Sequence, residues 1–338
     1  MTLQANTKIV PIAEQPADSG ALLKLCKACA DQLRLDILQV LSSDSFGVLE
    51  LCSIFDSKQS GMSHHLKILA NADLVITRRE GNSIFYRRSY QRDYENPDAA
   101  LNTLQLALHG AIDQRPLSTD IQQRVKLVQD ERAARSQEFF NENAKLFRQQ
   151  QEQIADFELY GPNASELLDK YLSRGQTSGV ALEVGPGEGA FLSELAPRFS
   201  QVYALDNSEQ MLEAAEQYAN TNNLKNITFI NGDTKHEQLQ SLSADCVVIN
   251  MVLHHIPSPA DMFLDISKVL KAKGSLIVTD LCSHDQAWAR ESCGDVWLGF
   301  HPDDLTQWAA DAGFKTAESI FLAQRNGFRV QIRQFIKL

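Results

Sequence analysis

An apolar run followed at once by three closely spaced glycines constrains the fold of this chain more than any other feature. Residues 180–184 are predicted to form a buried strand, and Gly185, Gly187 and Gly189 follow it at spacings of two. Residues 190–196 are predicted to form a helix after these glycines. Glycines let a backbone approach a ligand that a Cβ atom would block. The order strand, glycine turn, helix is typical of a nucleotide site in a doubly wound α/β sheet.

The residues around this turn indicate which kind of nucleotide it binds. The spacing differs from the GxGxxG of dinucleotide sites, and no Lys-Ser or Lys-Thr pair follows, which disfavours a nucleoside triphosphate. Glu183, directly before the turn, would repel a phosphate and suits a cationic or zwitterionic ligand. Asp206 ends a second apolar run and can accept hydrogen bonds from both hydroxyls of a ribose.

Residues 183–189 resemble the first motif, E/DxGxGxG, of the class I methyltransferases that use S-adenosylmethionine (SAM). The resemblance implies that this region binds SAM, or its product S-adenosylhomocysteine (SAH). It further implies that Asp206 binds the ribose, that Asp233 binds the adenine amino group and that Asn250 lines the methionine side. The full set of cofactor-binding residues expected in this way is Glu183, Gly185, Gly187, Gly189, Asp206, Asn207, Gly232, Asp233 and Asn250.

The order of apolar runs after residue 160 predicts a seven-stranded sheet that ends in an antiparallel hairpin. Residues 251–257 and 269–278 resemble the ubiquinone-type (UbiE-like) branch of the methyltransferases. In that branch the loop after the fourth strand faces the methyl acceptor. His254 and His255 are therefore candidates for acceptor contact or general base catalysis, although a structural role for at least one of them is favoured.

Upstream, several helices and a hairpin predict a winged helix-turn-helix. Apolar residues recur at helical spacing over 22–41, 48–55 and 62–70, and two short strands flank residues 80–83. Between Lys58 and Arg92, seven cations stand against two anions, a local net charge of +5 in a chain whose net charge is −11. Such a patch is typical of a surface that contacts DNA phosphates, although charge alone would equally suit a solvated face.

The same stretch closely resembles the ArsR/SmtB repressors. Residues 60–75 resemble the recognition-helix pattern SxxSxHLxxLxxAGLV, and residues 78–86 resemble the wing pattern RREGRxxxY. The resemblance implies binding to double-stranded operator DNA by a homodimer that pairs through the helix at 98–112. The DNA-contacting residues that it implies are Ser60, Ser63, His64 and Lys67 on the recognition helix and Arg78, Arg79 and Asn82 in the wing.

Neither metal site common in that family is expected here. Gly47 and Leu49 stand where metalloid-sensing members carry CysValCys, and the last helix lacks the paired ligands of the second type of site. No metal ligand is therefore assigned. Cys26, Cys29 and Cys52 could form a thiol site, but small buried residues are the favoured interpretation.

The predicted organisation has four segments. They are a disordered tail at 1–18, an ArsR-type winged-helix domain with its dimerisation helix at 19–112, a helical connector at 113–159 and a methyltransferase domain at 160–338. The fold class is thus an α+β winged helix joined to an α/β, Rossmann-like, seven-stranded class I methyltransferase domain. Because the sequence shows no run of 18 apolar residues and no apolar signal core at its start, we expect a cytoplasmic protein without a membrane segment.

Three functions remain open. The favoured one is a DNA-binding transcription regulator, of the repressor type, whose SAM- or SAH-binding domain ties it to methyl-group or methionine metabolism. The second is an active SAM-dependent methyltransferase that modifies a small molecule and autoregulates its operon. The third is a metal- or metalloid-responsive repressor, and the missing CysValCys counts against it.

Overall fold

The structure is a computed structural model that describes residues 19–42, 44–80, 83–89, 99–173, 175 and 179–338; at residues 19, 80, 99, 140–152 and 291 it describes the backbone alone. The predicted tail at 1–18 and Asn82 of the wing lie outside the described residues. Within them, no helix has both the length and the apolar character needed to cross a membrane.

The N-terminal domain combines helices with a small antiparallel sheet. Its helices are α1 (Ser19–Cys29), α2 (Gln32–Val40), α3 (Val48–Phe55), α4 (Gln59–Ala70) and α5 (Ala99–Asp113). Its strands β1 (Phe46–Gly47), β2 (Val75–Glu80) and β3 (Ser83–Arg88) pair in the order β1-β3-β2. Met62, Leu66 and Leu69 recur at helical spacing and are fully buried in one core with residues of α2 and α3. The predicted winged helix-turn-helix is thereby confirmed.

One long helix, α6 (Thr119–Ile154), connects the two domains. It spans 36 residues and lies within the helical connector predicted at 113–159. Val128 packs in the core of the N-terminal domain, whereas Ile154 packs in the core of the C-terminal domain. The helix is therefore a structural member of both domains.

The C-terminal domain is built on a seven-stranded sheet with the order β6-β5-β4-β7-β8-β10-β9. Strands β4 to β8 are parallel, and β9 and β10 form the final antiparallel hairpin that the sequence predicted. Within the sheet, β10 lies between β8 and β9. The strands are β4 (Val180–Val184), β5 (Gln201–Asp206), β6 (Ile227–Asn231), β7 (Ala244–Asn250), β8 (Leu270–Leu281), β9 (Phe314–Ala323) and β10 (Arg329–Lys337). The helices are α7 (Phe157–Ser173), α8 (Leu192–Leu195), α9 (Glu209–Thr221), α10 (Glu237–Gln240), α11 (Pro259–Val269), α12 (Trp288–Cys293) and α13 (Pro302–Asp311).

Two kinds of boundary in the C-terminal domain differ from the sequence-based prediction. The apolar runs predict strands only from residues 276 and 320, but β8 begins at Leu270 and β9 at Phe314. The prediction missed these starts because the first residues of both strands are partly exposed and form no apolar run. The helix predicted at 190–196 is reduced to Leu192–Leu195. Neither difference moves the edge where the parallel strands end. Strand order reverses at β4, between β5 and β7, and that reversal opens a crevice at the carboxyl ends of the strands.

Candidate cofactor cavity and DNA-contact surface

A cavity of about 870 Å³ occupies this crevice. It lies between the carboxyl ends of the parallel strands on one side and helices α6 and α7 on the other. Eight of the nine predicted cofactor residues line it, and the ninth, Gly189, packs instead against the backbone of Ala215. The structure therefore brings together residues that are up to 67 positions apart in the sequence, between Glu183 and Asn250.

The glycine turn after β4 places all three glycines in backbone conformations that favour glycine. Gly185, Gly187 and Gly189 have φ angles of 67°, 57° and 91°, a region that side chains other than glycine rarely adopt. A Cβ atom on Gly185 would lie 2.4 Å from a methyl carbon of Val252. Around Gly187, by contrast, no atom lies within 4 Å of such a Cβ position. The turn thus leaves open space where a ligand can approach the backbone.

Glu183 and Asn250 lie side by side at the ends of β4 and β7. Only 1% of Glu183 is exposed, and burial raises the pKa of its carboxyl group to about 8 while Asn250 opposes that shift. Among the described residues, Glu183 Oε2 and both side-chain polar atoms of Asn250 have no hydrogen-bond partner that meets normal geometry. Buried polar groups are rarely left unsatisfied. These atoms therefore fit a polar ligand that carries both donors and acceptors, such as an amino acid moiety.

Two further carboxylates stand at the adjacent strand ends. Asp206, at the end of β5, accepts a hydrogen bond from the Ser208 amide at 2.9 Å. Burial raises its pKa to about 6, against the opposing effect of the backbone amides that face it. Asp233 follows β6 after Gly232 and accepts a hydrogen bond from the Lys235 amide at 2.8 Å. In each case one carboxylate oxygen is held by the backbone, which fixes the side chain at the cavity wall.

The opposite wall comes from α6 and the start of α7. For the helical connector, the sequence leaves two roles open, covering the cofactor and docking one domain on the other, and docking is favoured. The wall contains Lys126, Gln129, Ala133, Phe157 and Tyr160. The Phe157 and Tyr160 rings meet edge to face at 5.5 Å, and Gln137 of α6 donates a hydrogen bond to the Asn207 carbonyl oxygen at 3.1 Å. Helical periodicity predicted these elements, but nothing in the pattern shows which face meets the cavity.

The two candidate catalytic histidines have different environments. His255 lines the cavity, whereas His254 lies behind the cavity wall and its Nδ1 is 2.9 Å from Asp280 Oδ1. Burial alone would lower the pKa of His254, but the carboxylates of Asp280 and Asp295 outweigh it and raise the pKa to about 9. Burial and the neighbouring His254 lower the pKa of His255. A direct catalytic role stays a prediction for both histidines, of which His255 lines the cavity and His254 is buried behind it.

These two histidines, together with Asp295, are the group of side chains among the described residues that could hold a metal ion. One ligand atom from each of His254, His255 and Asp295 lies within 4.8 Å of the others. His255 Nδ1 also lies 3.3 Å from the Gly294 carbonyl oxygen, so a metal would compete with that hydrogen bond. The cysteines singled out in the sequence are not part of this group, and burial raises the pKa of Cys29 to about 11.

The predicted recognition helix is α4. Ser60, Ser63, His64 and Lys67 are all exposed along it, while Met62 and Leu66 are buried on the opposite face. A helix that exposes short polar side chains and a cation on one continuous face suits the major groove of DNA.

The wing, formed by β2 and β3, is placed differently. Cross-strand register pairs Arg78 with Phe85 and Arg79 with Ile84. Because side chains alternate along a strand, these pairs lie on opposite faces of the hairpin. Arg79 and Ile84 are exposed. Arg78, by contrast, packs against the C-terminal domain and donates a hydrogen bond to the Gly299 carbonyl oxygen at 3.0 Å.

Arg132 of α6 ties both domains together, and no sequence signal marked it. Only 5% of the residue is exposed. Its guanidinium donates to the two carboxylate oxygens of Glu50 at 2.9 and 2.6 Å and to the carbonyl oxygen of Ser45 at 2.9 Å. On its other side it donates to the Pro257 carbonyl oxygen in the cavity wall at 3.1 Å. Its location within a mainly polar helix gave no reason to single it out from the other cations.

Fold and site thus define a two-domain class of protein, in which a winged helix-turn-helix is joined to a methyltransferase domain. Residues 31–77 match the family model described as bacterial regulatory protein, arsR family, and residues 182–278 match one described as methyltransferase domain. A stretch of 76 residues is 36% identical to an arsenical resistance operon repressor of Staphylococcus xylosus, over 22% of this chain and 73% of that protein. The chain belongs to the ArsR family of bacterial regulatory proteins.

The C-terminal domain is similar to methyltransferases. A stretch of 147 residues is 25% identical to a ubiquinone biosynthesis O-methyltransferase of Coxiella burnetii, over 40% of this chain and 62% of that protein. The crystal structure of magnesium protoporphyrin IX methyltransferase from Synechocystis with bound SAH aligns with a TM-score of 0.51 at 18% identity, over 61% of this chain and all of that one. The chain spans only 6% and 36% of the length of two further curated relatives.

Proposed function

We propose that this chain is a DNA-binding transcription regulator whose methyltransferase domain binds SAM or SAH, and that the bound ligand sets its affinity for operator DNA. A repressor tied to methyl-group or methionine metabolism is the form of this function that we favour. The observation that carries the proposal is that α6 forms one wall of the cavity and also holds the DNA-binding domain.

The coupling runs through neighbouring positions of one helix. Gln129 and Ala133 line the cavity, and Arg132 between them holds Glu50 of the DNA-binding domain. A ligand that contacts this wall therefore contacts α6, the helix that also holds α3 through Arg132. Because a ligand shifts a conformational equilibrium only by its differential affinity for the two states, the ligand must contact α6 differently in each state.

The charge of the cavity favours a cationic cofactor. Among the described residues that line it, nine carry carboxyl groups and two are lysines. SAM carries a sulfonium cation that SAH lacks, so the two ligands differ by one unit of charge in an acidic, partly enclosed space. We assign the ribose to Asp206, the adenine amino group to Asp233 and the methionine moiety to Glu183 and Asn250.

Operator binding would use the α4 helices of two copies of the chain in a symmetric dimer. Leu104 and Leu106 of α5 and Leu22 and Leu23 of α1 are exposed by 40–55%. Exposed leucines on two helices provide apolar area that a second copy can cover. A dimer would place two α4 helices on successive major grooves.

The test is operator binding by fluorescence anisotropy, with DNA from the promoter of the protein's own gene, measured without ligand, with SAM and with SAH. We expect one of the two ligands to shift the affinity more than the other. If SAM binds by calorimetry but operator affinity is the same in all three conditions, ligand binding is not coupled to operator binding. Asp206→Ala is the control: it should lose SAM binding and the ligand effect while it retains operator binding without ligand.

An active methyltransferase is the second candidate, and His255 favours it. Its lowered pKa keeps it neutral, and it lines a cavity that also holds the assigned methionine side. A neutral imidazole there can accept a hydrogen bond from a methyl acceptor and orient it, whereas its lowered pKa makes it a weak base. SAH release from SAM in the presence of small nucleophiles would support this function, provided that His255→Ala slows turnover without weakening SAM binding.

A further inference from the structure

The face of the wing that carries Arg78 is covered by the methyltransferase domain. The Arg78 guanidinium lies 5.5 Å from the centre of the Trp297 ring and 5.7 Å from that of Phe300. Its hydrogen bond to Gly299 fixes it between these rings. Phe85, its cross-strand partner, meets Trp297 edge to face at 5.4 Å. This combination of stacking and hydrogen bonding is typical of a specific arginine contact.

A second arginine on the same face is held by charge. Arg87 Nε lies 3.2 Å from Asp304 Oδ1, and the two side chains are 15% and 4% exposed. Arg78, Phe85 and Arg87 are related by alternation along the paired strands and therefore lie on one face of the hairpin. The methyltransferase domain thus presents two rings, a carbonyl oxygen and a carboxylate to the same wing face.

We propose that Trp297, Gly299, Phe300 and Asp304 form a docking surface for the wing of the same chain, and that operator DNA competes with this surface for the wing. Asp304 occupies the place that a DNA phosphate would take beside Arg87. The wing and a duplex cannot both cover that face. The docked arrangement therefore presents α4 to DNA but withholds Arg78 and Arg87.

The docking surface is bonded directly to the cavity wall. The amides of Val296 and Trp297 both donate to the His254 carbonyl oxygen, at 2.9 and 3.0 Å. The Trp297 indole donates to the Ile256 carbonyl oxygen at 2.8 Å. Ile256 and Pro257 line the cavity, and Pro257 accepts from Arg132, whose guanidinium stacks on Trp297 at 4.7 Å. A ligand that moves residues 254–257 would move the surface that holds the wing. This last step rests on the proposed function, whereas the docking itself does not.

The decisive experiment compares operator affinity of the ligand-free full chain with that of Asp304→Asn. We expect Asp304→Asn to bind about threefold to tenfold more tightly, the gain expected when one ion pair no longer holds the wing. The asparagine retains an oxygen for the His301 amide that Asp304 caps at 3.2 Å, so α13 should persist. Asp285→Asn is the matched control, since it removes the same charge from an exposed site of the same domain.

Equal affinity of the two variants would overturn the proposal, because the gain would then reflect net charge alone. Hydrogen exchange of the unaltered chain supplies a second measurement. Peptides that cover residues 296–305 should exchange faster when operator DNA is bound, and unchanged or slower exchange would also overturn it.

The two proposals can fail separately. If neither SAM nor SAH alters operator binding by the unaltered chain but Asp304→Asn still binds more tightly, wing docking is supported and ligand coupling is overturned. If ligand coupling exists and Asp304→Asn keeps it undiminished, the route through residues 254–257 is overturned. If Asp304→Asn both binds more tightly and loses the ligand response, docking and its route are supported together.

Discussion

The recognition helix α4 and the wing come from one continuous stretch with one family resemblance, yet the tertiary structure treats them differently. The predicted contacts on α4 are all exposed, whereas Arg78 and Arg87 of the wing pack on the methyltransferase domain. The residues that resemble a DNA-binding motif therefore fall into two groups: those on α4 are exposed to solvent, whereas Arg78 and Arg87 in the wing are bound to the methyltransferase domain. This teaches that a motif identifies residue types suited to DNA phosphates, and that neighbouring domains decide which of them can reach DNA.

The largest expected effect comes from removing Arg132, which joins the two domains. Arg132→Ala should lower the free energy of unfolding by about 3–5 kcal/mol, because it leaves Glu50 and the buried Asp44 without their cationic partner. Burial already raises the pKa of Asp44 to about 7 against the opposing charge of Arg132. Denaturant unfolding measures the loss.

Arg135→Ala is the control for this anchor, on the same helix but 77% exposed, and should change stability by less than about 0.5 kcal/mol. Equal losses in the two variants would mean that Arg132 does not hold the N-terminal domain to α6.

The next effect concerns the histidine behind the docking surface. The pKa of His254 is raised to about 9 from an ordinary value of 6.5, so its contribution to stability is complete below pH 6.5 and is lost as pH rises through 9. The slope should reach at most about 1.4 kcal/mol per pH unit. Unfolding free energies measured across this range should show that decline.

Asp280→Asn removes the carboxylate nearest to His254 and should flatten the decline, while Asp285→Asn at an exposed site should preserve it. A profile that is the same in all three proteins would show that His254 is not held in its charged form.

A smaller effect is expected on the α4 side of the comparison. Ser63→Ala combined with His64→Ala should weaken operator binding by about 1–3 kcal/mol, the usual size of a lost base-edge contact, without altering SAM binding. Anisotropy and calorimetry measure the two affinities. Ser53→Ala, exposed on α3, should leave both unchanged. Undiminished operator affinity in the double variant would show that α4 does not contact the operator.

The smallest effect is the loss of one phosphate contact. Lys67→Ala should reduce the slope of log affinity against log salt by about one, because one fewer counterion is released on binding. Lys225→Ala removes an exposed cation from the methyltransferase domain and should leave the slope as it is. If both changes lower the slope equally, DNA contacts a wider surface than α4 and the wing.

Much of the cofactor site could be predicted because strand order brings motif residues to one edge. Glu183, Asp206, Asp233 and Asn250 each stand at or just after the end of a parallel strand, and the ends of parallel strands meet. The wall formed by α6 could not be predicted in this way, because rotation and docking of a polar helix depend on contacts with distant residues. Phe139 in this helix shows this. From the sequence its ring could equally cover the cofactor or dock one domain on the other, and in the structure it packs against Gly294.

The sequence by itself determined the two domains, the sheet, the glycine turn and the face of α4, because local periodicity and short spacings specify them. Only the tertiary structure decided that Arg132 joins both domains, that His254 sits behind the cavity beside Asp280 and that Arg78 is held by Trp297 and Gly299. Each of these contacts links residues that are 26 to 221 positions apart in the chain. Such pairings depend on how domains and side chains pack in three dimensions, and no periodicity along the chain encodes them.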